Sequence, residues 1–160
     1  MAEPPTLSPE EWALWDTWMQ AQRLLTQELD RGLQRDCGIS KPEFSVLITL
    51  WQTPNHELRV GELADSLTWE KSRVSHLLTR MESRSLVTPV HAGAPGRRTG
   101  VTLTPKGREV AQQALLVHAG NIRHLFFDTI TPEQVEVFRE WGERMIDRME
   151  PGSRFTGEGR

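Results

Sequence analysis

The 160-residue sequence predicts a mainly α-helical protein that carries one small β-hairpin. Helix-start signals recur along the chain. Ser8, Ser40 and Thr131 each precede a segment with apolar residues at spacings of three and four, and each is followed three residues later by Glu or Gln, as in a capping box. Two short β-branched segments, 86–90 and 101–103, flank a glycine-rich stretch and predict the hairpin.

The sequence predicts a single domain, residues 1–160. Capping residues and helix-breaking residues indicate where its helices begin and end. Gly38 is expected to end the first helix and Pro54 the second, and Thr68 is the expected N-cap of the fourth. The helices are predicted at residues 9 to about 36, 41 to about 53, 60–67, about 70 to 84, 105 to about 128, and 132–149, before a polar tail at 150–160.

Composition favours a cytoplasmic protein. The single cysteine, Cys37, cannot form a disulfide within the chain and fits a reducing compartment. The longest apolar run near the N-terminus is broken by Asp16, Gln20 and Gln22, which argues against a signal peptide or a membrane span there. We therefore expect cytoplasmic localisation and no membrane partner.

The charge distribution shows a basic centre between acidic arms. The net charge is −3, yet residues 56–110 carry nine Lys or Arg against six Asp or Glu. Residues 1–36 carry three against seven, and residues 111–150 carry four against seven. Since attraction to phosphate is screened within about 10 Å at ordinary salt, a local basic region can bind nucleic acid on an acidic protein. The excess of positive charge in the central region is small, so by itself it is weak evidence for binding to nucleic acid.

The order of short helix, tight turn, helix and β-hairpin, at residues 40–104, is typical of a winged helix-turn-helix. The apolar positions of its second helix are Val74, Leu77, Leu78 and Met81. If that face is buried, the polar side chains point outward, where a recognition helix meets base edges and phosphates. The predicted DNA-binding residues of this helix are Lys71, Ser72, Arg73, Ser75, His76, Thr79 and Arg80. Arg97 and Arg98 at the hairpin tip are long enough to enter a neighbouring minor groove.

The same region resembles the helix-turn-helix of the MarR (multiple antibiotic resistance regulator) family. Four segments carry the resemblance: 38–47 (GISKPEFSVL), 61–67 (GELADSL), 71–75 (KSRVS) continuing to the Leu-Val at 86–87, and 101–107 (VTLTPKG). Together they cover roughly residues 38–107. The long helices predicted within 8–36 and 105–149 fall where the family places its dimerisation helices.

The resemblance implies a winged homodimer that binds a pseudo-palindromic operator in double-stranded DNA, with repression as the usual outcome. Arg97 matches the wing arginine that enters the minor groove in the family. The sequence departs from the family pattern at two positions. Pro95 stands where an acidic residue usually buttresses that arginine. Ser85 stands where glycine usually precedes Leu-Val, so Ser85 is expected to adopt a strained left-handed conformation.

The terminal helices carry more large apolar side chains than covering one winged domain requires. These residues are Trp12, Trp15, Phe126, Phe127, Phe138, Trp141, Met145 and Met149. An isologous helical interface would bury them and set two recognition helices about one helical turn of DNA apart. A monomer whose terminal helices pack over the winged domain is the alternative.

The resemblance also implies a small-molecule effector, frequently a phenolic or aromatic acid such as salicylate, between the dimerisation helices and the winged domain. Trp12, Trp15 and Met19 could supply apolar walls there, and Arg23 could pair with a carboxylate. Packing in the core or in the dimer interface is the alternative role of these four residues.

Other classes of function find little support in the sequence. It has no glycine-rich phosphate loop, nucleophile elbow or credible triad, so an enzyme is not expected. No cofactor and no metal are expected, since the histidines are scattered along the chain, at His56, His76, His91, His118 and His124. A redox switch at Cys37 is disfavoured because the neighbouring Asp36 opposes thiolate formation. A winged-helix module that binds protein instead of DNA is the main alternative.

Overall fold

The computed structural model describes residues 6–91 and 98–151. Within these ranges the helices are α1 (Pro9–Cys37), α2 (Lys41–Gln52), α3 (Val60–Leu67), α4 (Lys71–Ser83), α5 (Pro105–Leu125) and α6 (Pro132–Met149). The strands are β1 (Glu57–Leu58), β2 (Val87–His91) and β3 (Arg98–Leu103), and 3₁₀ turns cover Pro54–His56 and Phe127–Thr129. This architecture confirms the predicted fold class, a winged helix-turn-helix flanked by long helices. None of the described helices is long and apolar enough to cross a bilayer.

The chain divides into two compact units, from Met1 to Asn121 and from Ile122 to Arg160. The first unit contains the strands and the helices up to most of α5, and the second contains the end of α5 and all of α6. The predicted polar tail lies outside the described residues from position 152 onward.

Reciprocal side-chain caps start three helices where the sequence predicted them. In α1 the Glu11 backbone N–H donates to Ser8 Oγ at 3.2 Å, while the Ser8 backbone N–H donates to the Glu11 carboxylate at 2.7 Å. The same exchange opens α2 at Ser40 and α6 at Thr131. Gly38 ends α1 with φ of 64°, a left-handed conformation that glycine adopts without steric cost. The predicted end of α5 near residue 128 was three residues too late, because a 3₁₀ turn follows Leu125.

The turn between α3 and α4 differs from the prediction. Thr68 does not cap α4, whose N-cap residue is Glu70. Thr68 instead ends α3 in a left-handed conformation, with φ of 55°. Its backbone N–H donates to the Asp65 carbonyl at 3.1 Å, and the Trp69 N–H donates to the Ala64 carbonyl at 2.9 Å. This pair of bonds is a Schellman motif, and it reverses the chain within the few residues that separate the two helices.

A three-stranded antiparallel sheet in the order β1-β3-β2 forms the base of the wing. β2 and β3 are the predicted hairpin strands, whereas β1 was not predicted because two residues are too short to show alternation. Leu58 pairs with Val101 in the register of β1 and β3. Gly100 is required where β3 passes β1, since a Cβ there would lie 2.8 Å from the Leu58 carbonyl oxygen.

The core of the first unit lies beneath α4. Val74, Leu77, Leu78 and Met81 are at most 3% exposed, as the sequence predicted. They pack with buried residues of the neighbouring elements, which are Leu33, Ile39, Val46, Leu47, Leu50, Leu63, Ala64, Leu86, Val87, Val101, Leu103, Ala111 and Ala114. Burial of this apolar face fixes the rotation of α4 about its own axis and therefore decides which side chains point outward.

The α4–β2 turn, Arg84 to Leu86, is attached to the start of α5. Ser85 has φ of 57°, which confirms the left-handed conformation expected there. The Thr104 hydroxyl donates to the Ser85 carbonyl at 2.6 Å, and the Thr104 N–H donates to the Leu86 carbonyl at 3.2 Å. The Lys106 ammonium donates to the Arg84 carbonyl at 3.0 Å. The three consecutive carbonyls of the turn are therefore satisfied by residues at the beginning of α5.

Candidate nucleic-acid interface

The outward face of α4 contains all of the residues that the sequence predicted to bind DNA on this helix. Lys71, Ser72, Arg73, Ser75, His76, Thr79 and Arg80 are all exposed. The Ser75 hydroxyl donates to the Lys71 carbonyl at 2.9 Å, and the Thr79 hydroxyl donates to the Ser75 carbonyl at 3.1 Å. Because each hydroxyl proton is used inside the helix, the oxygens present acceptor lone pairs outward. Such acceptors match the amino donors of adenine and cytosine in the major groove. The role of these residues in binding DNA stays a prediction.

The N-terminus of α4 differs from those of α1, α2 and α6. Its N-cap residue, Glu70, makes no hydrogen bond from its side chain to the first turn. The backbone N–H groups of Lys71, Ser72 and Arg73 have no partner within the helix, as in any first turn. Together with the helix dipole, such groups suit a phosphate oxygen.

Arg73 is held against Trp69, the residue that follows the left-handed Thr68. The Arg73 guanidinium carbon lies 4.3 Å from the centre of the Trp69 ring, in cation–π geometry. Trp69 is half-buried and packs against the core. Trp69 is not among the residues predicted from the sequence, although an aromatic residue four positions before an arginine could have signalled this pair.

Arg84 anchors the C-terminal end of α4 to the start of α2. Its guanidinium donates to Glu43 Oε1 at 2.5 Å and to the Gly38 carbonyl at 2.7 Å. The Ser40 N–H and hydroxyl donate to the other Glu43 oxygen at 2.7 and 2.9 Å. Burial raises the pKa of Glu43, but the hydrogen bonds from Ser40 and Arg84 outweigh it and hold the pKa below its ordinary value. Glu43 is therefore a buried, fully ionised carboxylate at neutral pH.

The structure covers the predicted wing residues only in part. Arg98 begins β3 and its backbone pairs with His91 of β2. Arg97 and Pro95 lie outside the described residues, and so does the side chain of Arg98. Insertion of these arginines into a minor groove stays a prediction.

The residues of the predicted effector site lie along one side of α1. Trp12, Trp15 and Met19 are 52%, 51% and 44% exposed, and Arg23 is also exposed. Met19 and Arg23 line an open surface groove together with Gln20, Gln22 and Thr26. The four predicted residues therefore share a surface, and binding of an effector by them stays a prediction.

Cys37 and the histidines occupy unrelated positions. Burial, and secondly the charge of Asp36, raise the pKa of the Cys37 thiol, which opposes the thiolate that a redox switch requires. His56 stacks on Trp51, and His118 packs against Phe44. Within residues 6–91 and 98–151, no three His, Cys, Asp or Glu side chains form a group that could hold a metal ion.

Comparison with known proteins identifies the family. A family model described as MarR family matches residues 39–90. The structure of AbsC, a MarR family transcriptional regulator from Streptomyces coelicolor, superposes with a TM-score of 0.77 at 27% identity, covering 91% of this chain and 98% of that one. A MarR family protein from Mycobacterium tuberculosis, in complex with DNA, shares the fold with a TM-score of 0.61 at 24% identity, covering 90% and 99% of the two chains. A search of curated proteins finds no significant match.

Sequence similarity is higher with a second regulator from Streptomyces coelicolor. Sco3205, a MarR family transcriptional regulator solved in complex with DNA, is 32% identical, with a TM-score of 0.77 and coverage of 94% of each chain. That alignment spans 94% of this chain, and the family model separately matches residues 39–90. The chain therefore belongs to the MarR family, whose members are transcriptional regulators and not enzymes.

Proposed function

We propose that this protein binds a pseudo-palindromic operator in double-stranded DNA as a homodimer in the cytoplasm, and that it represses transcription there. The observation that carries the proposal is the two-sided character of α4. Its apolar residues are buried in the core, while the basic and hydroxyl side chains of the opposite face are exposed. This is the arrangement that a recognition helix needs to enter a major groove without disturbing the fold. The complex of Sco3205 with DNA supports the same partner for this chain.

Exposed apolar side chains on the terminal helices support the dimer. Trp12 and Trp15 of α1 are about half exposed, and Trp141, Met145 and Met149 of α6 are 38%, 38% and 65% exposed. Exposed side chains of this size and number are unusual on a monomer and typical of an interface. We expect sedimentation equilibrium to give twice the chain mass of 18.3 kDa. The mass of a single chain at micromolar concentration would exclude the dimer.

The exposed face of α1 that includes the surface groove supports an aromatic acid, such as salicylate, as the effector. Trp12, Trp15, Met19 and Arg23 are spaced by three and four residues, so one face of α1 presents apolar side chains and a cation together. Millimolar salicylate should raise the melting temperature of the protein and weaken its binding to DNA. An unchanged melting temperature and unchanged DNA affinity would exclude this class of effector.

Repression would follow from occlusion of a promoter. Transcription from a template whose promoter overlaps the operator should therefore fall when the protein is added.

Removing two exposed cations from α4 tests DNA binding directly. The Lys71→Ala, Arg80→Ala double variant is expected to bind a selected operator duplex at least tenfold more weakly, measured by fluorescence anisotropy. Where a lost contact is to phosphate, the slope of log affinity against log salt should also decrease by about 1. Both residues are exposed and outside the core, so the melting temperature should stay close to that of the parent.

A matched control removes the same charge elsewhere. The Arg139→Ala, Arg144→Ala variant deletes two exposed cations of α6 and should bind DNA like the parent. Equal losses in both variants would show that net charge, and not the α4 face, governs binding. If the parent protein binds selected and random DNA equally and the α4 variant is unchanged, the basic face would instead serve a protein partner.

A further inference from the structure

The Arg73 guanidinium is the basic group of the α4 face whose orientation the structure fixes most directly. It lies 4.3 Å from the centre of the Trp69 ring. Trp69 is itself fixed, because its backbone N–H bonds to the Ala64 carbonyl at 2.9 Å and its side chain packs on the core. The left-handed Thr68 directs the chain into this position. The indole ring is therefore held in a fixed position by the α3–α4 turn.

Stacking on an indole restricts a guanidinium in a particular way. One face of the planar group is covered, while the N–H groups around its edge remain available in the plane. Within residues 6–91 and 98–151, no hydrogen bond or ion pair to another side chain occupies the Arg73 guanidinium, and the residue is exposed. Arg73 is the third residue of α4, in the first turn, which is the part of a recognition helix that approaches base edges.

We propose that Trp69 is a positioning residue that holds Arg73 for bidentate recognition of one guanine in each half-site, through its O6 and N7 atoms. Guanine presents two adjacent acceptors in the major groove, and they match two parallel N–H groups on the edge of a guanidinium. An arginine held in advance loses less rotational freedom on binding than a free one. The inference rests on the proposed DNA-binding function and adds to it the base that Arg73 reads and the residue that orients it.

Selection from a randomised duplex library, followed by affinity measurements on single-base variants of the selected site, tests this inference. The parent protein should select a motif with a symmetric pair of guanines. Changing one of these guanines should weaken binding by the parent roughly 5- to 150-fold, the range for one bidentate pair. Arg73→Lys keeps the charge but lacks the planar fork. It should lose most of this discrimination while the rest of the motif is retained.

Trp69 is tested by a pair of variants that differ in the aromatic face. Trp69→Leu keeps an apolar side chain against the core, whereas Trp69→Phe also keeps a ring for stacking. Trp69→Leu should reduce discrimination at the guanine several-fold without changing preference at other positions, and Trp69→Phe should restore it. Discrimination is the ratio of affinities for two duplexes measured with the same variant. A general loss of stability lowers both affinities equally and leaves this ratio unchanged. Melting temperatures identify any variant that does not fold, and Arg73→Lys, at an exposed position, tests the guanine contact independently of Trp69.

Three outcomes would overturn the inference. If Trp69→Leu discriminates at every position like the parent, Trp69 does not position Arg73. If Arg73→Lys weakens binding equally to all duplexes, Arg73 contacts a phosphate. If the parent protein selects no motif at all, the proposed function itself fails, and the inference fails with it.

Discussion

Replacing Gly107 by alanine is expected to destabilise the protein by about 3 kcal/mol or more. A Cβ at this position of α5 would overlap the Leu86 carbonyl oxygen, which belongs to the backbone of the α4–β2 turn. That oxygen cannot move away easily, because Leu86 is 2% exposed and its carbonyl accepts a hydrogen bond from the Thr104 N–H. Urea unfolding followed by circular dichroism, at matched protein concentration, measures the loss.

The same helix supplies the control for this substitution. Gly120 lies in α5, is exposed, and has no atom within 4 Å of the position of an added Cβ. Gly120→Ala should therefore stabilise the protein by about 0.5–1 kcal/mol, since alanine is the better helix former. If the two substitutions shift the unfolding midpoint equally, close packing of α5 on the α4–β2 turn is not what requires glycine at position 107.

Glu43→Gln is expected to cost about 1–2 kcal/mol of the free energy of unfolding at neutral pH. The amide cannot accept on both sides as the ionised carboxylate does, so the bond from Arg84 or those from Ser40 must weaken. The expected cost is moderate because the Arg84 side chain is 43% exposed, so solvent screens its attraction to Glu43. Urea unfolding measures the loss, and Arg35→Ala is the control. Arg35 also pairs with a carboxylate, that of Asp36, but on an exposed surface where solvent screens the charges, so the control should cost much less than Glu43→Gln.

The contribution of Glu43 should depend on pH in a definite direction. Its pKa is lower in the folded protein than the ordinary value of 4.5. The stabilisation is therefore fully present above pH 4.5 and is lost as the pH falls through the folded-state pKa. Unfolding measured in steps below pH 4.5 should show the parent and Glu43→Gln converging. A difference that stays constant, or that grows as the pH falls, would contradict this origin of the stability.

Local signals predicted the fold well because the groups that produce them lie close together in sequence. The capping pairs at Ser8, Ser40 and Thr131 each span three residues, and the structure contains all of them. The left-handed conformation of Ser85 could also be predicted. Serine stands where the family usually has glycine, and the backbone keeps the positive φ of that position. The prediction that Thr68 is the N-cap of α4 was wrong. A β-branched residue rarely adopts a positive φ, so its left-handed conformation at the end of α3 was not expected.

The parts that sequence reasoning missed depend on contacts between distant segments or on very short elements. Glu43 and Arg84 are separated by 41 positions, so no local pattern links them. The strand Glu57–Leu58 is defined only by its pairing with β3. At the candidate site, the set of exposed side chains on α4 could be predicted, because burial of the apolar face fixes which residues point outward. The orientation of Arg73 could not be predicted, because it depends on where the α3–α4 turn places Trp69.

The division of α4 into a buried and an exposed face has a consequence for how regulators of this kind can diverge. Ser72, His76 and Arg80 are exposed and lie outside the core, and among the described residues the hydroxyls of Ser75 and Thr79 bond to carbonyls of their own helix. Exchanging such side chains should change the free energy of unfolding by no more than about 0.5 kcal/mol. If the proposed function holds, a mutation on this face is expected to redirect the protein to another operator without first requiring a compensating change in the core. New binding specificities would then be accessible through single substitutions, each of which is expected to leave a folded protein.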